Sequence, residues 1–246
     1  MISRRLLLGG TVTGAVLGLA GVSLTRDQSS IRFIGRRSTI IALLDTGLER
    51  TLMVLGEGDD DLLANITGLT TVGSTRIDLV VASHRVLATQ AARDHLEIES
   101  IPTISLQAHN SLPPIRGSIM PTSQTREIKI GNSTTMRIAL SGSMLSSGDA
   151  GDPDFLISIM HRKTRIVLAN RDTALRIGLP ISPDVLVVPG SPGPIASDRF
   201  QPHLFVCNSP NHEVVTSAQL PVYPSDPMVI RFREGEMVVW DDQVSS

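Results

Sequence analysis

The feature of this sequence that most constrains its fold is a long series of short apolar runs separated by polar turns. Residues 39–44, 51–55 and 79–82 are examples, and they are rich in Ile, Leu, Val and Thr. Short runs that contain β-branched residues favour strands over helices. Aromatic residues make up only 3% of the chain, so aliphatic side chains must fill most of the core. The pattern predicts a globular protein layered around β-sheets.

The apolar runs fall into two similar halves. Hairpins are predicted where two runs flank a short turn, at residues 39–55, 126–140 and 155–169. Each half then continues with separate apolar runs, at 76–84 and 101–106 in the first half and at 184–188 and 203–207 in the second. We therefore expect two sheets that divide near residue 125, followed by two final strands at 228–232 and 236–240.

Two segments between the predicted strands have features of helices. Asp59, Asp60 and Asp61 precede an apolar stretch, and carboxylates in the first turn of a helix interact with the positive end of its dipole. Three adjacent carboxylates cannot all face one cation, which favours a helix start over an ion site. Residues 88–96 predict a second short helix. Because the run at 79–82 is apolar on both faces, these helices predict an α/β protein with covered sheets.

The first 24 residues predict a targeting segment. Arg4 and Arg5 precede an uncharged, moderately apolar run at residues 6–24, and this arrangement resembles a twin-arginine export signal. If the run is not cleaved, it is long enough to anchor the protein in a membrane. The chain therefore divides into a signal peptide or anchor at 1–24, a linker and first strand at 25–38, and a single domain at 39–246. We expect export across the cytoplasmic membrane, to an extracytoplasmic or membrane-anchored location.

Charge and cysteine content exclude several classes of function. The formal net charge is −2, and Arg4 and Arg5 belong to the predicted leader, so the body is more acidic than the whole chain. An acidic body is a poor match for a phosphate backbone, so nucleic acid is not suggested as a partner. The one cysteine, Cys207, excludes an internal disulfide and is expected to be a small buried residue of a strand. The expected partner is an unidentified ligand or protein.

Five segments occur in an order that resembles a known family. They are the hairpin at 40–58, the strand and loop at 77–89, the turn at 168–172, the strand and loop at 184–193, and the segment at 202–211. In this order they resemble the metallo-β-lactamase-like domain of ComEC/Rec2 DNA-uptake proteins. The resemblance covers residues 40–240 and implies a four-layer αββα sandwich of two mixed sheets. It also implies a two-metal site for hydrolysis, built from clustered His and Asp.

The departures from that family fall on its metal ligands. His84 matches the first histidine of the family's His-x-His-x-Asp-His motif, and Asp172 matches its bridging aspartate. The other ligand positions hold residues that do not replace the family's His and Asp: Leu55, Val86, Ala88, Thr89, and Gly190 or Ser191. A catalytic zinc needs at least three protein ligands and an open position for water. Two remaining ligands predict that no metal is held, so we expect no cofactor, no metal ligand and no catalytic residue.

Two of the matched positions leave alternatives open. Arg171 replaces the glycine that precedes the bridging aspartate, and its guanidinium turns either inward, in place of the lost cation, or outward to solvent. His84 is either a strand-end histidine bonded to the backbone or a remaining contact of a binding site.

Three interpretations follow from these observations. In the first, the chain is a catalytically inactive, exported pseudoenzyme that acts as a binding or structural module. Its remnant pocket is lined by Ser83, His84, Thr89, Arg171, Asp172, Ser191 and Asn211. The alternative is a divergent metal-dependent hydrolase, of the phosphodiesterase or nuclease class, with zinc or manganese at a rebuilt site that includes His84 and Asp172. In the third, an unrelated exported β-rich binding protein shares only the strand pattern.

Overall fold

The part of the chain that the structure describes is built almost entirely of β-strands. It is a computed structural model that describes residues 29–36, 38–56, 77–83, 101–106, 119–122, 125–140, 154–177, 182–190, 200, 202–208, 218–221, 228–233 and 236–240. Within these residues the strands are β1 (Ser30–Arg36), β2 (Thr39–Asp45), β3 (Arg50–Gly56), β4 (Leu79–Ser83), β5 (Thr103–Leu106), β6 (Ile119–Thr122), β7 (Arg126–Ile130), β8 (Thr134–Leu140), β9 (Phe155–His161), β10 (Thr164–Ala169), β11 (Val185–Val188), β12 (Leu204–Cys207), β13 (Ala218–Pro221), β14 (Met228–Arg233) and β15 (Glu236–Trp240). One short 3-10 helix, Asp172–Arg176, follows β10.

The strands form two mixed sheets. The first sheet has the order β15-β14-β1-β2-β3-β4-β5-β6, and the second has the order β13-β12-β11-β10-β9-β8-β7. Strands β3 to β6 are parallel to one another in the first sheet, and β10 to β13 are parallel in the second. The other neighbours are antiparallel. Because only β14 and β15 return to the first sheet, each sheet is otherwise formed by one half of the chain.

Most strand positions predicted from the sequence are confirmed. The three predicted hairpins are β2–β3, β7–β8 and β9–β10, and the division near residue 125 falls between β6 and β7. The separate apolar runs of the second half form β11 and β12, and the last two predicted strands are β14 and β15. Val80, Val81 and Ala82 of β4 are all buried, as expected for a strand covered on both faces.

The predicted four-layer αββα sandwich is wrong for the described part of the chain. Its residues form two sheets and one short 3-10 helix, and no α-helix occurs among them. The helix prediction relied on weak local signals, and the segments 59–66 and 88–96 lie outside the described residues. The described segments are rich in Ile, Val and Thr, whose branched Cβ favours an extended backbone. In these segments there is no helix of the length and apolarity needed to cross a membrane.

Two strands that the sequence pattern does not predict lie at sheet edges. Strand β6 falls within the segment 107–124, which has the composition of a loop, and it contains Pro121. Strand β13 contains Pro221. Each is the last strand of its sheet. A proline cannot donate a ladder hydrogen bond and is tolerated mainly on edge strands, so it also makes a segment look unlike a strand.

The main core lies between the two sheets. Inward-facing side chains of both sheets form one buried cluster, which includes Phe33, Ile157 and Val187. Alternate residues of the same strands form a second cluster on the outer face of the first sheet. A third cluster packs Ala174 and Leu175 of the 3-10 helix against the outer face of the second sheet. Burial on both faces suits parallel strands, which rarely have a side in solvent.

Each half of the chain uses the same aspartate clamp where its first parallel pair begins. Asp78 Oδ2 accepts the backbone N–H of Arg50 at 2.9 Å, and the Asp78 N–H donates to the Arg50 carbonyl at 2.9 Å. In the other half, Asp184 Oδ2 accepts the N–H of Arg165 at 2.7 Å, and the Asp184 N–H donates to the Arg165 carbonyl at 2.9 Å. The clamp therefore helps to set the register of β3 with β4 and of β10 with β11.

His161, at the end of β9, is a buried polar residue between the sheets. Its exposed fraction is 3%, and its Nδ1 shares a hydrogen bond of 2.8 Å with the Thr134 hydroxyl. Its ring packs against Phe232 of the other sheet, with ring centroids 4.5 Å apart and an interplanar angle of 31°. Because a buried polar group is costly without a partner, the Thr134 hydroxyl stabilises this contact between the sheets.

We expect Thr134→Val to lower the free energy of unfolding by about 1–3 kcal/mol, because it removes the hydroxyl bonded to the buried His161 ring. Thr135→Val is the matched control, since Thr135 is half-buried and lies on the opposite face of β8. Its effect should stay within about 0.5 kcal/mol. Denaturant unfolding of the full chain, followed by circular dichroism, measures both values. Equal losses in the two variants would contradict a role for this hydrogen bond.

Candidate functional site

The parallel strands of both sheets end at one edge of the sandwich. Asn208, directly after β12, donates from Nδ2 to the carbonyl of Thr39 at 3.1 Å. Thr39 is the first residue of β2 and pairs with Gly56, the last residue of β3. The carboxyl ends of β3 and β12, which belong to different sheets, therefore meet. Ligands of open sheets bind outside the carboxyl ends of parallel strands, so we take this carboxyl edge as the candidate site.

Asn208 holds three segments of the carboxyl edge together. Its Oδ1 accepts the N–H of Gly190 at 3.0 Å, and its own N–H donates to the Gly190 carbonyl at 3.1 Å. Its Nδ2 makes the bond to Thr39. An amide side chain can do this because it carries both an acceptor and donors. Asn208 therefore joins the chain after β11, the chain after β12 and the start of β2.

Two positions of the carboxyl edge require glycine for different reasons. Gly190 has a φ of +82°, which L side chains rarely adopt, and the space around it is open. Gly56 has a φ of +92°, and a Cβ there would overlap the Ser38 carbonyl oxygen. Backbone strain alone opposes a side chain at Gly190, whereas the close approach of another backbone also excludes one at Gly56.

The chain after β10 is fixed to the start of β9 by two side chains. Buried Asn170 accepts the N–H of Phe155 on its Oδ1 at 3.0 Å. Arg171 Nε lies 2.9 Å from Asp154 Oδ1, and the Arg171 side chain is 47% exposed. At that exposure solvent screens the ion pair and weakens it. The guanidinium is thus half in solvent and paired with Asp154, an acid that the sequence analysis does not consider.

The structure places some of the predicted pocket residues at the carboxyl edge. Ser83 is the last residue of β4, Arg171 follows β10, and Asp172 begins the 3-10 helix. The four other predicted residues lie outside the described residues: His84, Thr89, Ser191 and Asn211. Ser83 and Arg171 come from different halves of the chain, and the packing of the two sheets brings their strand ends to the same edge.

The residues that organise this edge are not among the predicted pocket residues. Asn208 makes the bond between the sheets, whereas the predicted Asn211 lies outside the described residues. Asn170 and Asp154 fix the end of β10 to the start of β9. One signal was available, because an Asn or Asp beside an apolar run often bonds to nearby backbone groups that the ladder leaves unpaired.

The described residues of the carboxyl edge do not form a metal-binding cluster. Among them there is no group of three or more His, Cys, Asp and Glu side chains that could hold a metal ion. Cys207 is fully buried in β12, and Asp154 is paired with Arg171. The described residues alone therefore do not fit the donor set of a catalytic zinc.

Comparison with solved structures identifies the fold. The metallo-β-lactamase fold protein YhfI from Bacillus subtilis superposes with a TM-score of 0.56 at 12% sequence identity, over 87% of this chain and 99% of that chain. The β-hydroxylase CmlA superposes with a TM-score of 0.51 at 9% identity, over 93% of this chain and 58% of that chain. No protein-family model matches the sequence, and no curated protein matches it significantly. The chain therefore has a metallo-β-lactamase fold, and these likenesses show the fold alone.

The fold likeness decides part of the question that the sequence left open. It confirms the expected metallo-β-lactamase-like fold. It therefore contradicts the third interpretation, in which an unrelated protein shares only the strand pattern of this fold. One fold hosts many functions, and activity depends on the residues of the site. The choice between a binding module and a hydrolase therefore depends on the carboxyl edge.

We expect Asn208→Ala to destabilise the protein by about 1–3 kcal/mol, because it removes the side-chain bonds to the Gly190 N–H and the Thr39 carbonyl. Asn208→Asp should cost at least as much, since an oxygen then faces the Thr39 carbonyl in place of the donor. Hydrogen exchange on the full chain should show faster exchange at Gly190 in Asn208→Ala, which loses the acceptor of the Gly190 N–H, whereas Asn208→Asp keeps an acceptor there. Asn132→Ala, at an exposed turn, is the control. Unchanged exchange at Gly190 in Asn208→Ala would show that the side-chain hydrogen bonds of Asn208 do not hold the carboxyl edge.

Proposed function

We propose that this protein is an exported, catalytically inactive member of the metallo-β-lactamase fold, of ComEC/Rec2-like type, that acts as a binding or structural module. The observation that carries the proposal is the use of the polar side chains at the carboxyl edge. Asn208, Asn170 and Arg171 bind other parts of the same protein. A metal-dependent hydrolase must also present several His or carboxylate donors to its metal ions, and under the resemblance only His84 and Asp172 remain.

The cationic side chain before Asp172 supports the proposal. The resemblance leads us to expect glycine at this position, whereas Arg171 carries a permanent positive charge. A positive charge one residue from a metal-bridging carboxylate repels a divalent cation. The pair with Asp154, at 2.9 Å, holds this charge at the carboxyl edge. Although Asp154 offsets part of this charge, a cation in place of the expected glycine makes the position before Asp172 less favourable for a divalent ion.

The backbone of Gly190 also supports the proposal. The resemblance puts a metal-binding histidine at Gly190 or Ser191. At Gly190 the φ of +82° opposes any residue with a Cβ, and both backbone polar groups are bonded to Asn208. Gly190 therefore serves the hydrogen bonds with Asn208, and this position is poorly suited to present an imidazole.

The proposal includes a location outside the cytoplasm. Arg4, Arg5 and the uncharged run at 6–24 support export, with the run acting as a cleaved signal or as an anchor. The partner of the remnant pocket is an unidentified ligand or protein. The negative net charge makes nucleic acid a poor candidate.

We expect the purified full chain to hold far less than one zinc or manganese ion per molecule, because too few ligands remain. Elemental analysis after incubation with each metal and removal of the excess measures this. Hydrolysis of bis(p-nitrophenyl) phosphate with either metal should equal the rate in buffer. A zinc hydrolase of the same fold is the positive control for both assays.

The alternative hydrolase makes the opposite prediction. It requires one or more tightly held metal ions and a phosphodiesterase or nuclease activity that His84→Ala abolishes. Asn132→Ala, at an exposed turn far from the carboxyl edge, should retain that activity. Stoichiometric metal together with this pattern of loss and retention would overturn the proposal of an inactive module.

A further inference from the structure

The end of the sandwich opposite the carboxyl edge is formed by three linked hairpin turns. They are residues 46–49 between β2 and β3, 131–133 between β7 and β8, and 162–163 between β9 and β10. The Gly131 N–H donates to Glu49 Oε2 at 2.9 Å, and the Arg162 N–H donates to the Ser133 carbonyl at 3.1 Å. We call these three turns the turn surface. Because the hydrogen bonds join turns of both sheets, the turn surface is continuous.

The described chain begins beside the turn surface. Ser30 pairs with Asp45, the last residue before the first turn, and the Ser29 carbonyl accepts the N–H of Phe232. Only residues 25–28 separate the uncharged run at 6–24 from Ser29. A chain of this length reaches at most about 20 Å. If the run anchors the protein, as the proposed function includes, the turn surface is held close to the membrane.

One side chain of the turn surface is apolar and exposed. Leu48, in the first turn, is 72% exposed. It is the one exposed large hydrophobic side chain among the described residues. A single exposed Leu needs no explanation on an arbitrary surface. At a turn tip beside a membrane tether, however, it is placed to enter the headgroup region.

The tip of the β9–β10 turn is basic and strained. Arg162 and Lys163 are both exposed, and Arg162 has a φ of +53°, a left-handed conformation that is costly for a residue with a Cβ. Two-residue hairpin turns usually place Asn-Gly at such positions. The turn instead places two adjacent positive charges at its tip, and the tight hairpin accounts for the positive φ of Arg162.

Acidic side chains at the same end are bonded to groups of the protein. Asp45 Oδ2 pairs with Arg50 Nε at 2.9 Å, and its Oδ1 accepts the N–H of Gly47 at 2.8 Å. Glu49 accepts the N–H of Gly131. Asp78 and Asp184 form the two backbone clamps described above. These donors partly balance the negative charges at this end, and Arg162 and Lys163 lie at an exposed tip.

We propose that the turn surface docks on an anionic phospholipid membrane, with Leu48 at headgroup level and with Arg162 and Lys163 beside lipid phosphates. Basic side chains near an anionic bilayer are attracted to it within about a Debye length. Seven-residue strands such as β2 and β3 are roughly 20 Å long. Docking therefore turns the carboxyl edge away from the membrane, toward a soluble partner.

The test uses the full chain reconstituted into vesicles of phosphatidylcholine, with or without phosphatidylglycerol. An environment-sensitive fluorophore is attached through Leu48→Cys at the turn surface or through Thr173→Cys, an exposed position of the 3-10 helix at the carboxyl edge. Cys207 is fully buried and should not react. We expect a blue shift and a several-fold rise in emission at position 48 only, and only with anionic lipid.

Two charge-matched double variants test the basic tip. Arg162→Gly with Lys163→Gln should reduce the rise at position 48 by roughly half or more, as should high salt. Glycine suits the φ of +53°, so this variant should melt no lower than the parent protein. Arg126→Gln with Arg137→Gln removes the same charge from exposed positions of β7 and β8 that lie farther from the turn surface, and it should leave the signal unchanged.

The outcomes separate this inference from the proposed function. A full chain that does not float with vesicles would overturn both the anchor and the docking. Flotation without an emission change at position 48 would overturn the docking and leave the anchor. An equal change at positions 48 and 173 would contradict the orientation. Metal content tests the inactive site independently of all three results.

Discussion

The apolar contact between the inner faces of the two sheets is the interaction on which the rest of the structure depends. Side chains such as Phe33, Ile157 and Val187 alternate with residues that face outward, so each sheet presents one set to the common core. A shift of one residue in a strand would exchange the two sets. The packing therefore determines the register of the strands, and the register determines which strand ends share an edge.

Polar side chains act mainly where this apolar core ends. At the carboxyl edge, Asn208 and Asn170 satisfy backbone groups that the ladders leave unpaired. At the opposite end, Asp78 and Asp184 do the same for the first residues of the parallel pairs. Amides and carboxylates therefore hold loops in place at both ends. This use of polar groups is one ground for the proposal that the carboxyl edge has lost the donors of a metal site.

The sequence predicted most of the strands, whereas four of the seven predicted pocket residues lie outside the described residues, so the pocket stays a prediction. Hairpins and buried parallel strands were found because their apolar runs are long and bounded by clear turns. Strands β6 and β13 were missed because Pro121 and Pro221 are typical of loops, and only a position at a sheet edge makes them compatible with a strand. The αββα layering was wrong for the described residues, because their Ile, Val and Thr side chains favour an extended backbone. The helices predicted at 59–66 and 88–96 lie outside these residues and stay predictions.

The sequence by itself determined where most of the strands lie, because alternation and apolar runs are local properties of an extended backbone. The proposal that metal ligands are replaced also comes from the sequence, because it depends on the identity of residues such as Val86 and Gly190 under the resemblance. Only the tertiary structure decided which polar groups meet. Asn208 and Thr39 are 169 residues apart, and their hydrogen bond exists because two sheets pack face to face. No local pattern in the sequence predicts a contact between residues so far apart.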